Sequence, residues 1–304
     1  MLGGGQTVPV NALLAVVAIC GVSASGPLMA ATAAPALAIA FWRNAAASVV
    51  LAPITLMRRR DELQALSPRG RRLVVVAGLM LALHFATWVA SLKLTSVAAA
   101  TALVTTQLVW VMLIDRIRGA SVPLQAGIGC ALAIAGVLVV SGFDFTVSTR
   151  ALVGDGLAVA GGLFAALYLV AGSAVRTELS TTAYTAVCYS VCSLALLAAA
   201  VVGGVPLAGF STRDWLLIAG VTVAAQFLGH SILNHLLAVI SPMIVSLLLL
   251  LEVPLAALLA GVFLDQVPHA GVWVGLVLIL AGLAFVVTHR APEETDLVEA
   301  PRVD

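Results

Sequence analysis

Long apolar runs alternate along this chain with short polar joints. A helix needs about 20 mostly apolar residues to cross a bilayer core. Ten runs approach that length: Val8–Ala30, Ala33–Met57, Leu73–Leu92, Val97–Ile114, Val122–Val140, Leu152–Val175, Thr182–Val202, Trp215–Leu236, Met243–Leu264 and Gly271–Val287. The joints, such as DELQALSPRGRR and DRIRGAS, are too short to hold a soluble domain. The pattern predicts an all-α integral membrane protein of ten transmembrane helices. The tail His289–Asp304 has prolines and acids but little to bury, and is expected to be disordered.

Composition agrees with that reading. Of 304 residues, 62% are hydrophobic and 10% charged, against about 25% charged in an average soluble domain. A net charge of +1 gives no field for nucleic acid. Cys20, Cys130, Cys188 and Cys192 all lie in apolar runs without metal-type spacing and read as small packing residues. The first run ends in an Ala-rich stretch like a signal-peptide cleavage region. It is too long for an h-region, however, and no basic residue precedes it, so a retained first helix is expected.

Orientation follows from Lys and Arg in the joints. With the N-terminus inside, the cytoplasmic side receives Arg58, Arg59, Arg60, Arg69, Arg71, Arg72, Arg116, Arg118, Arg176, Arg290 and Arg302; the other side receives only Lys93, Arg150 and Arg213. Both termini are therefore expected to be cytoplasmic. Arg greatly outnumbers Lys, and Ala and Val are abundant, which suggests a GC-rich bacterial genome and hence the plasma membrane.

The chain repeats itself. AGLMLALHFATW (Ala77–Trp88) aligns with AGVTVAAQFLGH (Ala219–His230), pairing His84 with Gln226 and Trp88 with His230. Gln107 then pairs with Glu252, Pro123 with Pro268, and Ala135–Gly136 with Ala281–Gly282. Each unit holds five spans, giving domains at 10–142 and 152–288. An odd span number starts the second unit on the opposite side of the membrane. The ten helices should thus form two inverted five-helix repeats, an arrangement that places substrate near the midplane between the halves.

HFATWVASLKLTSVAAATALV followed by Gln107 resembles the third and fourth helices of EamA-type proteins of the drug/metabolite transporter superfamily. AIAFWRN resembles that family's Arg-bearing second helix, and LLEVP with LILAG the end of its second domain. The resemblance covers residues 10 to 288 and implies ten helices in two domains, with export or uptake of small metabolites. The family often has Pro directly after the Gln or acidic position. Here Gln107 precedes Leu108 and Val109, and Pro254 comes one place late, so those two helices are expected to kink differently.

Side chains that lipid would reject locate the candidate chemistry. Arg43, within the second run, costs at least about 2.5–3.5 kcal/mol to insert, so it faces protein or water; it reads as an anion-binding group or as a brace for helix ends. His84, Thr87, Trp88 and Ser91 share one helical face, and Gln226, His230 and Asn234 share another. Both stripes are expected to line a central cavity; the alternative is ordinary hydrogen bonding between helices, worth about 0.6 kcal/mol each. Glu252 is the one acid well inside an apolar run, a candidate proton carrier or a partner for Arg43 or His230, or else a cap on the kink at Pro254. Gln107, Trp110 and Tyr168 complete the candidate wall. Asp115 and Asp265 sit at span ends and read as solvated.

These features favour a secondary transporter for an amino acid or related small amphiphile, with export favoured by analogy. An intramembrane enzyme is the second class, but the chain has no HExxH and no Ser–His or paired-Asp pattern. A scaffold or receptor is the third, and would need no polar seam. The expected partners are a small-molecule substrate and the lipid bilayer, with a homodimer left open. Nucleic acid, metal and cofactor are not expected.

Overall fold

The computed structural model describes residues 4–119, 123–142, 148–267 and 270–288. The tail His289–Asp304 and Pro268 lie outside the described residues. Among the described residues there are only helices and joints, and eight helices are long and apolar enough to cross a membrane. They are α1 (Val10–Ala31), α2 (Ala36–Arg58), α3 (Pro68–Ser91), α4 (Val97–Ile117), α6 (Thr149–Val175), α7 (Thr181–Val202), α8 (Thr212–Leu236) and α9 (Pro242–Leu264). Two further apolar helices are α5 (Leu124–Gly142) and α10 (Ala270–Thr288), whose described apolar stretches, Leu124–Val139 and Trp273–Gly282, are shorter.

Serine sets where many of these helices begin. Ser67, Ser96, Ser148, Ser180, Ser211 and Ser241 each sit at an N-cap and accept from the amide three residues on. Such a cap satisfies an orphan amide, and its loss costs about 0.5–2 kcal/mol. The caps move several starts outside the apolar runs: α3 begins at Pro68 rather than Leu73, and α8 at Thr212 rather than Trp215. The joint between α2 and α3 also forms a short exposed helix, Arg60–Ala65.

The halves pack reciprocally. α3 lies on α6, while its counterpart α8 lies on α1; α2 pairs with α7, and α5 with α10. At the last crossing, a Cβ on Gly136 would stand 2.5 Å from the Gly275 carbonyl oxygen, and one on Gly282 2.5 Å from that of Gly129. Equivalent glycines thus let equivalent backbones touch from both sides, the pattern expected of a duplicated unit.

Three spans are broken near their middles. α1 breaks at Ala24, α4 at Thr105–Thr106 and α9 at Leu250–Leu251. Pro27 and Pro254 explain two of these, because neither offers an amide to the carbonyl four residues back. α4 has no proline at its break. There Thr105 and Thr106 turn their hydroxyls back on the Ala102 and Leu103 carbonyls at 2.6 and 2.7 Å, which loosens the ladder. Different residues thus produce breaks at equivalent places, immediately before Gln107 and Glu252.

Polar ties close both ends of the bundle. At the end carrying Lys93, Asp214 accepts from Thr32 Oγ1 (2.8 Å), the Ala33 amide (2.7 Å) and Ser211 Oγ (2.7 Å). Lys93 donates to the Met29 carbonyl at 2.9 Å and to that of Thr32; its burial lowers its pKa, partly offset by Asp214. At the other end Glu178 accepts from the Ser67 amide and hydroxyl, both at 3.1 Å, and Glu62 from the Ser180 amide at 2.8 Å. Arg176, nearly buried, holds the Asn234 carbonyl, Thr181 and the Leu179 carbonyl.

Candidate functional site

The site is built where α3, α6 and α8 meet the three helix breaks. α3 is regularly wound and presents His84, Phe85 and Trp88 inward. His84 Nδ1 lies 3.0 Å from the Gly161 carbonyl oxygen of α6. A carbonyl only accepts, so Nδ1 carries the proton and Nε2 is left as an acceptor. The imidazole stacks on Trp88 at 5.6 Å between centroids, 15° from parallel. From α8, His230 meets Phe85 edge-on at 5.3 Å and stands 6.4 Å from His84.

Around these rings are two small adjoining chambers of about 30 Å³ each. Both touch His84, Gln107, His230 and Leu249. One extends to Tyr168 and Asn234; the other extends to Trp88, Thr105, Ser25 and Glu252. A liquid water occupies about 30 Å³, so each chamber has room for about one water. This conformation is closed around its polar centre.

The chambers have unspent hydrogen-bonding capacity. Trp88 Nε1 and Asn234 Nδ2 are buried donors with no partner among the described residues. Asn234 Oδ1 accepts from the Tyr168 hydroxyl, which fixes the amide and aims its NH2 elsewhere. Buried donors in folded proteins are nearly always satisfied. One orphan in the lining of each of two adjoining chambers is the mark of a place for a ligand or water.

Seven of the residues singled out in the sequence therefore come together: His84, Trp88, Gln107, Tyr168, His230, Asn234 and Glu252. Five stand apart from the chambers: Thr87 and Ser91, whose hydroxyls donate to the Leu83 and Trp88 carbonyls within α3, and Arg43, Gln226 and Trp110. Arg43 is fully buried, donating from Nε to Gln226 Oε1 at 2.9 Å and from Nη1 to Met29 Sδ at 3.5 Å, with its guanidinium 4.2 Å above the Phe85 ring. Gln226 is spent on Arg43 and on Asn44 Oδ1, which accepts at 3.0 Å. Trp110 packs in a satellite cluster with Val111, Ala166, Val170 and Met243. Arg43 and Gln226 thus form a layer behind the wall, touching it through Phe85. Ser25 and Thr105 were not anticipated; the SGP beside Ser25 and the TT pair were the available signals.

The winding of α8 explains why its stripe splits. Thr222–Ser231 is a π-helix, with hydrogen bonds to the fifth residue on. Gln226 and His230 no longer stand one above the other, so one can turn to Arg43 and the other to the chambers. The Gln226 carbonyl also accepts from Ser231 Oγ at 2.9 Å.

The fold and site together define a multi-pass membrane protein with a closed polar centre between repeated halves. The EamA-like transporter family matches residues 10–142 and 152–288; the chain belongs to that family, whose members are membrane transporters of small molecules. A solved structure described only as the crystal structure of a protein is 17% identical, with a TM-score of 0.71 over 92% of this chain and 97% of that one. At that identity the likeness speaks for the fold alone. No curated protein matches the chain.

Proposed function

We propose that the protein is a secondary transporter that moves an amino acid or related small amphiphile, as an exporter, across the plasma membrane by alternating access. The orphan donors Trp88 Nε1 and Asn234 Nδ2 in the closed centre carry this reading. They suit the oxygens of a carboxylate or carbonyl, while His84 Nε2 offers an acceptor to an ammonium or hydroxyl. The Trp88–His84 stack supplies an apolar wall, so a solute with a small apolar side chain is favoured over a sugar phosphate, which would need more cations at depth. Arg43 is the brace that orders Gln226 and Phe85 behind this wall, and Glu252 is the coupling group.

In this reading α5 and α10 are the fifth and tenth spans of two inverted domains, 10–142 and 152–288, with both termini cytoplasmic. Substrate enters from one end when that end's ties open. The helices beginning near Ser96 and Pro242 then rock about the central breaks, and the opposite ties release. The chain is read as a carrier and not an enzyme; activity that survives without a gradient of solute and is lost to chelator would favour the enzyme. A scaffold would be indifferent to His84→Ala and His230→Ala. The test is a thermal-shift screen of small metabolites on the purified protein, followed by flux of the hits into liposomes. The double variant, correctly inserted, should lose at least about tenfold in flux, or 1.4 kcal/mol of binding. Unchanged flux for every hit would reject the cavity assignment.

A further inference from the structure

The chamber beside Glu252 lies between the three helix breaks. Ser25 follows the break in α1, Thr105 lies in the break of α4 with Gln107 just after it, and Glu252 follows the break in α9. All four line one space of about 30 Å³. Interrupted helices at midplane depth expose oxygens that an unbroken ladder would occupy, which is how membrane proteins build dehydrated ion sites.

Glu252 adds a buried carboxyl on which Arg43 bears only electrostatically. Its residue is 6% exposed, and among the described residues its carboxyl makes no hydrogen bond and no ion pair. Arg43, a cation on a neighbouring element that bears on it, is committed to Gln226, Met29 and Phe85. His84 and His230 also face the chamber, and His84 Nδ1 is already engaged with the Gly161 carbonyl. An isolated carboxylate in such a place is costly unless a cation meets it. A proton would need one oxygen. Here a carboxylate, an amide and two hydroxyls converge from three helices on a volume the size of one water, the hard oxygen set that a small alkali ion takes in place of its hydration shell.

We infer that this chamber binds a small monovalent cation, Na+, through the side-chain oxygens of Ser25, Thr105, Gln107 and Glu252. The ion clamps the halves of α1, α4 and α9 together at their breaks. The inference deepens the transport reading by giving Glu252 an ion to couple to. Its test is equilibrium binding, so a failed flux assay would leave it standing and a failed ion test would leave the carrier standing.

The experiment uses the full chain purified without Na+. Thermal stability and Trp fluorescence, which Trp88 in the same lining should report, are followed as NaCl replaces choline chloride at constant ionic strength and pH, with KCl in parallel. The expected result is a saturable rise in Tm of a few degrees with Na+ and little or none with K+. Glu252→Gln and, separately, the milder Ser25→Ala should abolish or strongly weaken that rise, while Asp115→Asn at a span end keeps it. Absence of any Na+-specific shift overturns the inference. So does a shift that persists in both site variants, or one that follows pH alone, which would make the ion a proton.

Discussion

α3 and α8 occupy equivalent places in the two halves, yet they are wound differently. α3 is α-helical throughout and lays His84, Phe85 and Trp88 on one face against α6. α8 opens into ten residues of π-helix at the matching height, and its polar residues divide between two partners. The contacts beneath them differ as well. A Cβ on Gly161 of α6 would meet Thr87 and Trp88 side-chain atoms of α3 at 3.2 Å, whereas one on Gly21 of α1 would stand 2.3 Å from the Ala224 backbone oxygen of α8. Duplication supplied a common frame. One copy became a fixed aromatic wall, and the other a widened helix whose winding depends on tight neighbours and on Arg43.

The largest effect is expected at Arg43. Arg43→Ala empties a fully buried volume and leaves Gln226 without its donor, so it should cost about 3–5 kcal/mol of stability. Arg43→Met refills the volume and should cost about 1–3 kcal/mol. Thermal unfolding in detergent reads both, and equal losses would mean that the emptied volume contributes nothing and the lost bond to Gln226 accounts for the whole cost. Next come the glycines: Gly21→Ala meets a backbone oxygen at 2.3 Å and should cost about 1–3 kcal/mol, whereas Gly161→Ala meets the Thr87 hydroxyl and the Trp88 Cβ at 3.2 Å, an overlap of a few tenths of an ångström, and should cost less. The reverse ranking would contradict the contrast between the two contacts.

The smallest effect concerns the helix starts. α8 begins on the buried Asp214 tie, α3 on the exposed tie of Ser67 to Glu178, and α7 on the bond from the Ser180 amide to Glu62 in the α2–α3 joint. Burial tends to raise the Glu62 pKa, but bonds from Ser180 and Arg59 hold it below its ordinary 4.5. A carboxyl with a depressed folded pKa contributes stability above its unfolded value and loses it as pH falls through the folded value. Hydrogen exchange should therefore show the α2–α3 joint loosening below about pH 4.5 in wild type but not in Glu62→Gln. Equal loosening in both would assign the effect elsewhere.

Much of this was legible in the sequence, for physical reasons. Lipid forces apolar runs and expels charge, so the spans and the depth of Arg43, His84 and Glu252 follow from composition and periodicity. The Ala77–Trp88 and Ala219–His230 match exposed the duplication. Winding was not legible: the i, i+4 spacing of Gln226 and His230 predicts one stripe only if the helix is α. The break in α4 was hidden too, because two threonines do there what Pro254 does in α9. Arg43 could be placed in the interior from its cost, but whether it faced a cavity or Gln226 depended on a fold-wide contact.

The central claim is that the closed polar centre opens alternately to both sides. The direct measurement places Gln107→Cys in a chain whose Cys20, Cys130, Cys188 and Cys192 are replaced, and adds an impermeant thiol reagent to one side at a time of oriented liposomes. The account predicts labelling from either side, slowed from both by a solute that the protein carries. Labelling from one side only, or equal labelling with and without that solute, would contradict it.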